Sequence, residues 1–136
     1  MLLRKMLLGK IHRATVTGAN VEYMGSITID PLLLEASGID VLEEVEVWDT
    51  NNGERFTTYV LPGREGSGEV VLNGAAARRV QVGDKVIIAA FGLVEAGAFG
   101  KHKANLVIVD AQNRVTQVFE YSADLTMRTV ELKKIK

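Results

Sequence analysis

A Gly-Ser pair in Glu22-Tyr23-Met24-Gly25-Ser26-Ile27-Thr28-Ile29-Asp30 is where this chain could generate an electrophile from its own backbone. If the Ser26 hydroxyl attacks the Gly25 carbonyl, the peptide becomes an ester. Elimination and hydrolysis then cut the chain and leave a pyruvoyl group at the new N-terminus. Glycine helps because it reaches backbone conformations closed to other residues, and a strained peptide there exposes the carbonyl. The chain has few other sources of such chemistry, with no cysteine, two histidines and no nucleotide-binding loop. A serine beside a glycine is by itself an ordinary turn, so the pair needs company to carry meaning. That company is a set of polar residues near expected strand ends: Lys10, His12, Tyr23, Trp48, Arg55, Thr58, Tyr59 and Asn73. Each has an ordinary reading, with Lys10 and Arg55 as solvated charge, Trp48 as core and Asn73-Gly74 as a tight turn. Together they offer a carboxylate clamp in Arg55 and Lys10, a phenolic acid in Tyr59 and an amide donor in Asn73. Those groups suit an anionic amino acid.

Other chemistries find less support. His12 and His102 have no local partner at metal-ligand spacing, and Glu43, Glu44 and Glu46 read as a solvated strand face. The loop Gly63-Arg64-Glu65-Gly66-Ser67-Gly68 lacks the lysine and hydroxyl of a phosphate loop. A net charge of -1 gives no reason to expect nucleic acid or an anionic membrane as partner. The absence of cysteine removes thiol catalysis and disulfides and suits a cytoplasmic protein. The start, Met1 to Leu8, has apolar stretches too short and too interrupted by charge for a leader. No run approaches the roughly 18 apolar residues of a membrane helix.

The elements that must hold these residues read mainly as strands. A length of 136 residues with 47% hydrophobic content suits one domain with one core. Strands are expected over Gly9 to Val16, from Ile27, around Val45 and Val47, and over Arg55 to Leu61 and Glu69 to Leu72. Lys85 to Val94, Leu106 to Val109 and Val115 to Tyr121 complete the set. Asp30-Pro31 reads as a cap and first helical position for a short helix ended by Gly38. Asn51-Asn52-Gly53 signals a hairpin, and Ala75 to Arg79 a single helical turn. Glu95 to Lys103 reads as a loop, and the tail from Asp124 as a helix with Lys133 and Lys134 near its end. Many short strands with two short helices suggest a small closed barrel, because closure removes exposed edges.

In order along the chain, the segments Met6-Leu7-Leu8-Gly9-Lys10-Ile11-His12-Arg13-Ala14-Thr15-Val16-Thr17, Tyr23-Met24-Gly25-Ser26, Ile29-Asp30, Val47-Trp48-Asp49, Asn52-Gly53-Glu54-Arg55-Phe56-Thr57-Thr58-Tyr59, Asn73-Gly74-Ala75-Ala76-Ala77 and Val82-Gly83-Asp84-Lys85-Val86-Ile87-Ile88 resemble the pyruvoyl-dependent aspartate 1-decarboxylases. The resemblance fades from about Glu95. It implies a mainly β fold, a double-psi β-barrel with short helices. It implies self-cleavage into residues 1–25 and 26–136, with Ser26 becoming a covalent pyruvoyl cofactor. L-aspartate would lose its α-carboxylate to give β-alanine for pantothenate synthesis, in a homotetramer with active sites between subunits. Thr58 would polarise the Gly25 carbonyl during cleavage, with His12 and Tyr23 near that bond. Arg55, Lys10 and Trp48 would bind substrate, Tyr59 would return a proton, and Asn73, Gly74, Ala75 and Ala76 would orient it. Two departures stand out. Met24 occupies a position that is often glutamate in the family, which bears on maturation and any helper protein. Gly100 to Asn105 also lacks the expected Trp-Arg-Pro-Asn pattern. The rival expectations are a non-catalytic oligomeric barrel and a pyruvoyl enzyme for another acidic amino acid such as glutamate.

Overall fold

The first strand carries charge at both ends and small or branched apolar residues in the middle, and it becomes the spine of the sheet. In the computed structural model, which describes residues 1–95 and 100–136, β1 spans Leu3–Thr15. It is followed by β2 (Gly18–Asn20), β3 (Ser26–Ile29), α1 (Pro31–Ser37), β4 (Glu44–Asp49) and β5 (Arg55–Pro62). Next come β6 (Val70–Asn73), a 3-10 turn over Gly74–Arg79, β7 (Lys85–Glu95), β8 (Lys101–Val109), β9 (Val115–Asp124) and β10 (Thr129–Lys134). The strands lie in the order β10-β9-β8-β1-β7-β4-β5-β3-β6-β2, and the sheet is mainly antiparallel and barrel-like. Parallel pairings of β1 with β8, β2 with β6 and β3 with β5 join segments distant in sequence.

Alternation decides which side chains enter the core. Ile11, Ile88 and Val47 lie in one row across β1, β7 and β4, and all three are fully buried. Ile27, Ile29, Val60, Val70 and Leu72 fill the other end of the core. The neighbouring rows face outward and carry the polar residues of interest. Lys10, Glu46 and Thr57 stand in one such row, with the fully buried Ala89 between Lys10 and Glu46.

The short helix follows its sequence signals. Asp30 Oδ1 accepts from the Leu32 N–H at 2.9 Å, Pro31 takes the first helical position, and Gly38 closes the helix at φ 77°. Asp30 also ties in the following loop, accepting from the N–H groups of Gly66 (3.0 Å) and Gly68 (2.9 Å). Burial alone would raise this carboxyl, but the three N–H donors and the Arg114 guanidinium outweigh it and lower it below 3.8. A lowered folded-state value means that its stabilisation is fully present above 3.8 and fades as the pH falls through that lower value. Asp30→Asn keeps one acceptor oxygen and sets an N–H2 against an N–H donor, which should cost about 1–3 kcal/mol at neutral pH. Urea unfolding at pH 7 and in strong acid should show the gap between mutant and wild type shrinking in acid.

Three sequence expectations change. The tail from Asp124 is not a helix. Asp124 Oδ1 instead accepts from the N–H groups of Thr126 and Met127, both at 3.0 Å, and so caps a turn into β10. The pattern Thr129-Val130-Glu131-Leu132 has a period of two and pairs antiparallel with β9, residue 129 opposite 124. The expected loop from Glu95 to Lys103 is narrower, since Glu95 belongs to β7 and Lys101 to Lys103 to β8, while residues 96–99 lie outside the described residues. Strand β1 also begins earlier than expected, because Leu3 to Leu7 pair with β7.

Candidate active site

Ser26 opens β3 and is fully buried, although Gly25 before it is exposed. Its neighbour across the ladder is Asn73, the last residue of β6. Asn73 Nδ2 donates to Ser26 Oγ at 3.0 Å and to Thr28 Oγ1 at 3.1 Å. The amide therefore fixes the hydroxyl that would attack. Directly after it, Gly74 adopts φ 68° and packs against the main chain of the pair, so a Cβ there would lie 2.6 Å from Gly25 Cα. Ala75 and Ala76 follow in the 3-10 turn. The parallel register sets Ile27 beside Val60. Ser26 and Tyr59 each immediately precede the first residue of that pairing, Ile27 and Val60. Tyr59 is 41% exposed on the outer face, while Thr58 lies across from buried Val45. An open cavity of about 410 Å³ adjoins this end of the sheet, lined by Asn20, Tyr23, Thr28, Glu69 and Asn73 among others.

A second cluster occupies the outer face of β4 and β5. The Arg55 guanidinium stacks on Trp48 with Cζ 4.4 Å from the ring centroid. Glu46 Oε1 accepts from Trp48 Nε1 at 3.1 Å and lies 4.0 Å from Arg55 Nη2. One carboxylate thus orients both the indole and the guanidinium fork. Sequence reading assigned Glu46 to a solvated face. Its spacing of two from Trp48 on a strand was the available signal, because such residues share a face. Lys10 stands in the same row as Glu46, two strands away, with its ammonium 5.9 Å from the Tyr121 ring. His12 lies close to Lys10. Burial, Lys10 and Arg13 all lower its pKa, so the ring is mostly neutral at pH 7. His102 has a structural role: its Nε2 donates to the Leu7 carbonyl at 2.6 Å and ties β8 to β1.

The structure thus brings Ser26, Gly25, Tyr23, Asn73 and Gly74 together, with Thr58 and Tyr59 just before the β5 residues that pair with β3. Trp48 and Arg55 lie at the start of β5, while Lys10 stands level with Thr57 between them and Tyr59, and His12 follows two residues along β1. Arg55 precedes Tyr59 by four residues, roughly 13 Å along a strand. One small amino acid cannot touch both ends of that span.

The aspartate decarboxylase family model matches residues 2–116, which include both clusters. This chain belongs to that family. Family relatives named aspartate 1-decarboxylase include one from Wolinella succinogenes, 52% identical over 83% of this chain and 93% of its own length. One from Caldicellulosiruptor bescii is 54% identical over 84% of this chain and 89% of its own. A relative named aspartate 1-decarboxylase 2, from Gloeobacter violaceus, is 55% identical over 86% and 94%. The family match ends within β9, so β10 and most of β9 lie beyond it. Among the described residues, no helix is long and apolar enough to cross a membrane.

Proposed function

We propose that this chain is a proenzyme that cleaves itself between Gly25 and Ser26 and then decarboxylates L-aspartate to β-alanine and carbon dioxide for pantothenate synthesis. The observation that carries this reading is the family match across residues 2–116, which takes in the Gly25-Ser26 bond and both polar clusters. The surroundings of Ser26 fit a pyruvoyl group. Position 26 is buried, the Asn73 amide is within hydrogen-bond reach of it, and Gly74 leaves room for the main chain to approach. Such a group is an electrophilic ketone beside an amide, and it supplies capture of an amine and a sink for the electron pair released with carbon dioxide.

The protein's own residues do the rest. Before cleavage, Asn73 aims the Ser26 hydroxyl, and the exposed, pliable Gly25 lets its carbonyl turn toward it. A donor at Thr58 would stabilise the oxyanion that forms there. Met24 is exposed and offers no acid, so the maturation rate and any helper protein rest on other groups. In the mature enzyme, the Arg55 fork takes one carboxylate, held flat by Trp48 and aimed by Glu46. Lys10 attracts the other carboxylate. Tyr59, which directly precedes the β5 residue paired with Ile27, would return a proton to the carbon that loses carbon dioxide. The 13 Å gap between clamp and serine closes if Arg55, Trp48 and Lys10 of one subunit face Ser26 of another, as a homotetramer with shared sites would arrange. A cytoplasmic location suits this chemistry.

The test is the intact mass of the denatured protein together with carbon dioxide release from L-aspartate. Fragments of residues 1–25 and 26–136, the larger lighter than a serine-started chain by one ammonia, with aspartate turnover, support the reading. A single uncut chain without turnover would sink it. Competition with glutamate measures the length of diacid that the clamp accepts.

Two variants separate the roles. Arg55→Ala should cleave normally but raise KM for aspartate about ten- to a hundredfold, the worth of a charge-assisted hydrogen bond. Uncut Arg55→Ala protein would place Arg55 in processing instead. Tyr59→Phe should cleave and bind substrate, with kcat lower by about two to four orders of magnitude. Rapid turnover by that variant would remove Tyr59 as the proton donor.

A further inference from the structure

The last strand is an open edge, and it lies beyond the part of the chain that matches the family. All six residues of β10 are exposed, with Val130 63% and Leu132 52% accessible. Among the described residues, its only strand partner is β9. The Ile135 N–H donates to the Val118 carbonyl at 2.8 Å, so by alternation residues 129, 131 and 133 aim their main chain at β9. Val130, Leu132 and Lys134 therefore direct their N–H and C=O groups to the open side. Uncovered edges of this kind are templates for another strand.

The geometry points to a second copy of this chain as the occupant, with β10 pairing antiparallel to β10 about a two-fold axis at Leu132. The sequence selects that axis. Only even-numbered residues offer free main-chain groups, so residues of like parity must face one another. An axis at position 131 sets Glu131 against Glu131, and axes at 133 and 134 set lysine against lysine. An axis at 130 leaves Glu131 facing Thr129 and Leu132 facing Arg128. The axis at Leu132 sets Glu131 opposite Lys133 twice on one face. On the other face it sets Leu132 against Leu132 and Val130 against the Lys134 stem. Opposite charges and apolar pairs directly across strands are the stabilising arrangements in antiparallel sheets. The contact is isologous and closes on itself, as a two-fold pairing must. It does not depend on the decarboxylase reading.

The chain has no cysteine, which makes the test direct. In the full-length protein, Leu132→Cys places two thiols on a hydrogen-bonded pair with Cα atoms about 5.5 Å apart, within disulfide reach. Met127→Cys, 71% exposed at the hairpin tip, is the control, since its copies are held far apart by the same pairing. Under mild oxidation at micromolar protein, Leu132→Cys should form covalent dimer at least about a hundredfold faster than Met127→Cys, because pairing raises the local thiol concentration to about millimolar. Glu131→Lys added to Leu132→Cys should slow that cross-link, and Lys133→Glu added in turn should restore it. Equal cross-linking rates for the two single cysteines, or no response to the charge changes, would overturn the pairing. Either outcome leaves the cleavage and turnover measurements unaffected.

Discussion

Ser26→Ala is expected to give one chain of full-length mass that releases no carbon dioxide from L-aspartate. The hydroxyl is the attacking group for cleavage and the source of the later electrophile, so its loss removes both steps. The fold should survive. Alanine fits the buried slot, and one Asn73 N–H keeps its bond to Thr28 Oγ1 while the other loses its acceptor. The stability cost should be about 1–3 kcal/mol, that of one buried donor left unpaired. Intact mass, an aspartate assay and a thermal melt check the three parts. An active Ser26→Ala protein would end the pyruvoyl mechanism.

Gly74→Ala should slow cleavage by about a hundredfold or more, although it changes no reacting group. A methyl there meets Gly25 Cα at 2.6 Å, Gly25 N at 2.8 Å and the Tyr23 carbonyl oxygen at 3.1 Å. All three are backbone atoms, so the scissile segment itself must move. A misplacement of about 1 Å in a reacting geometry costs on the order of a hundredfold. The left-handed φ of 68° adds roughly 1–2 kcal/mol of strain for any side chain. Gly53→Ala separates the two effects. Gly53 has φ 78° but nothing within 4 Å of the added carbon, so it should lower stability and leave cleavage alone. Time courses of precursor conversion for both variants check this. Normal conversion by Gly74→Ala would show that the Gly25 segment is free to shift.

Sequence signals succeeded where the determinant was local. Asp30-Pro31 and Gly38 delimit α1 because capping and a left-handed residue act within one turn. Asn51-Asn52-Gly53 marks the β4–β5 hairpin, where Asp49 Oδ1 accepts from the N–H groups of Asn51 and Asn52 and Gly53 takes φ 78°. Asp124 misled because an aspartate that caps a helix and one that caps a turn look alike until the next residues find a partner strand. The pairing of β1 with both β7 and β8 joins segments 70 to 96 positions apart, and nothing local announces it. The same holds for the site. Its residue types were visible, but their division between two ends of β5 depends on register. Glu46 looked like solvent-facing charge until Trp48 and Arg55 were seen to share its carboxylate.

The position of β1 bears on how the cleaved protein comes apart. Residues 1–25 contain β1, which lies between β7 and β8, and β2, which pairs with β6. Once the Gly25-Ser26 bond is cut, that central strand is held only by non-covalent contacts. Native structure then depends on two polypeptides meeting, so refolding changes from first to second order. The mature form should melt at a temperature that rises with protein concentration, and after dilution and heating it should recover slowly. The uncut precursor carries β1 on the same chain, so the return of β1 to the sheet should be first order, and in this respect the cut makes folding a step that the molecule completes best once.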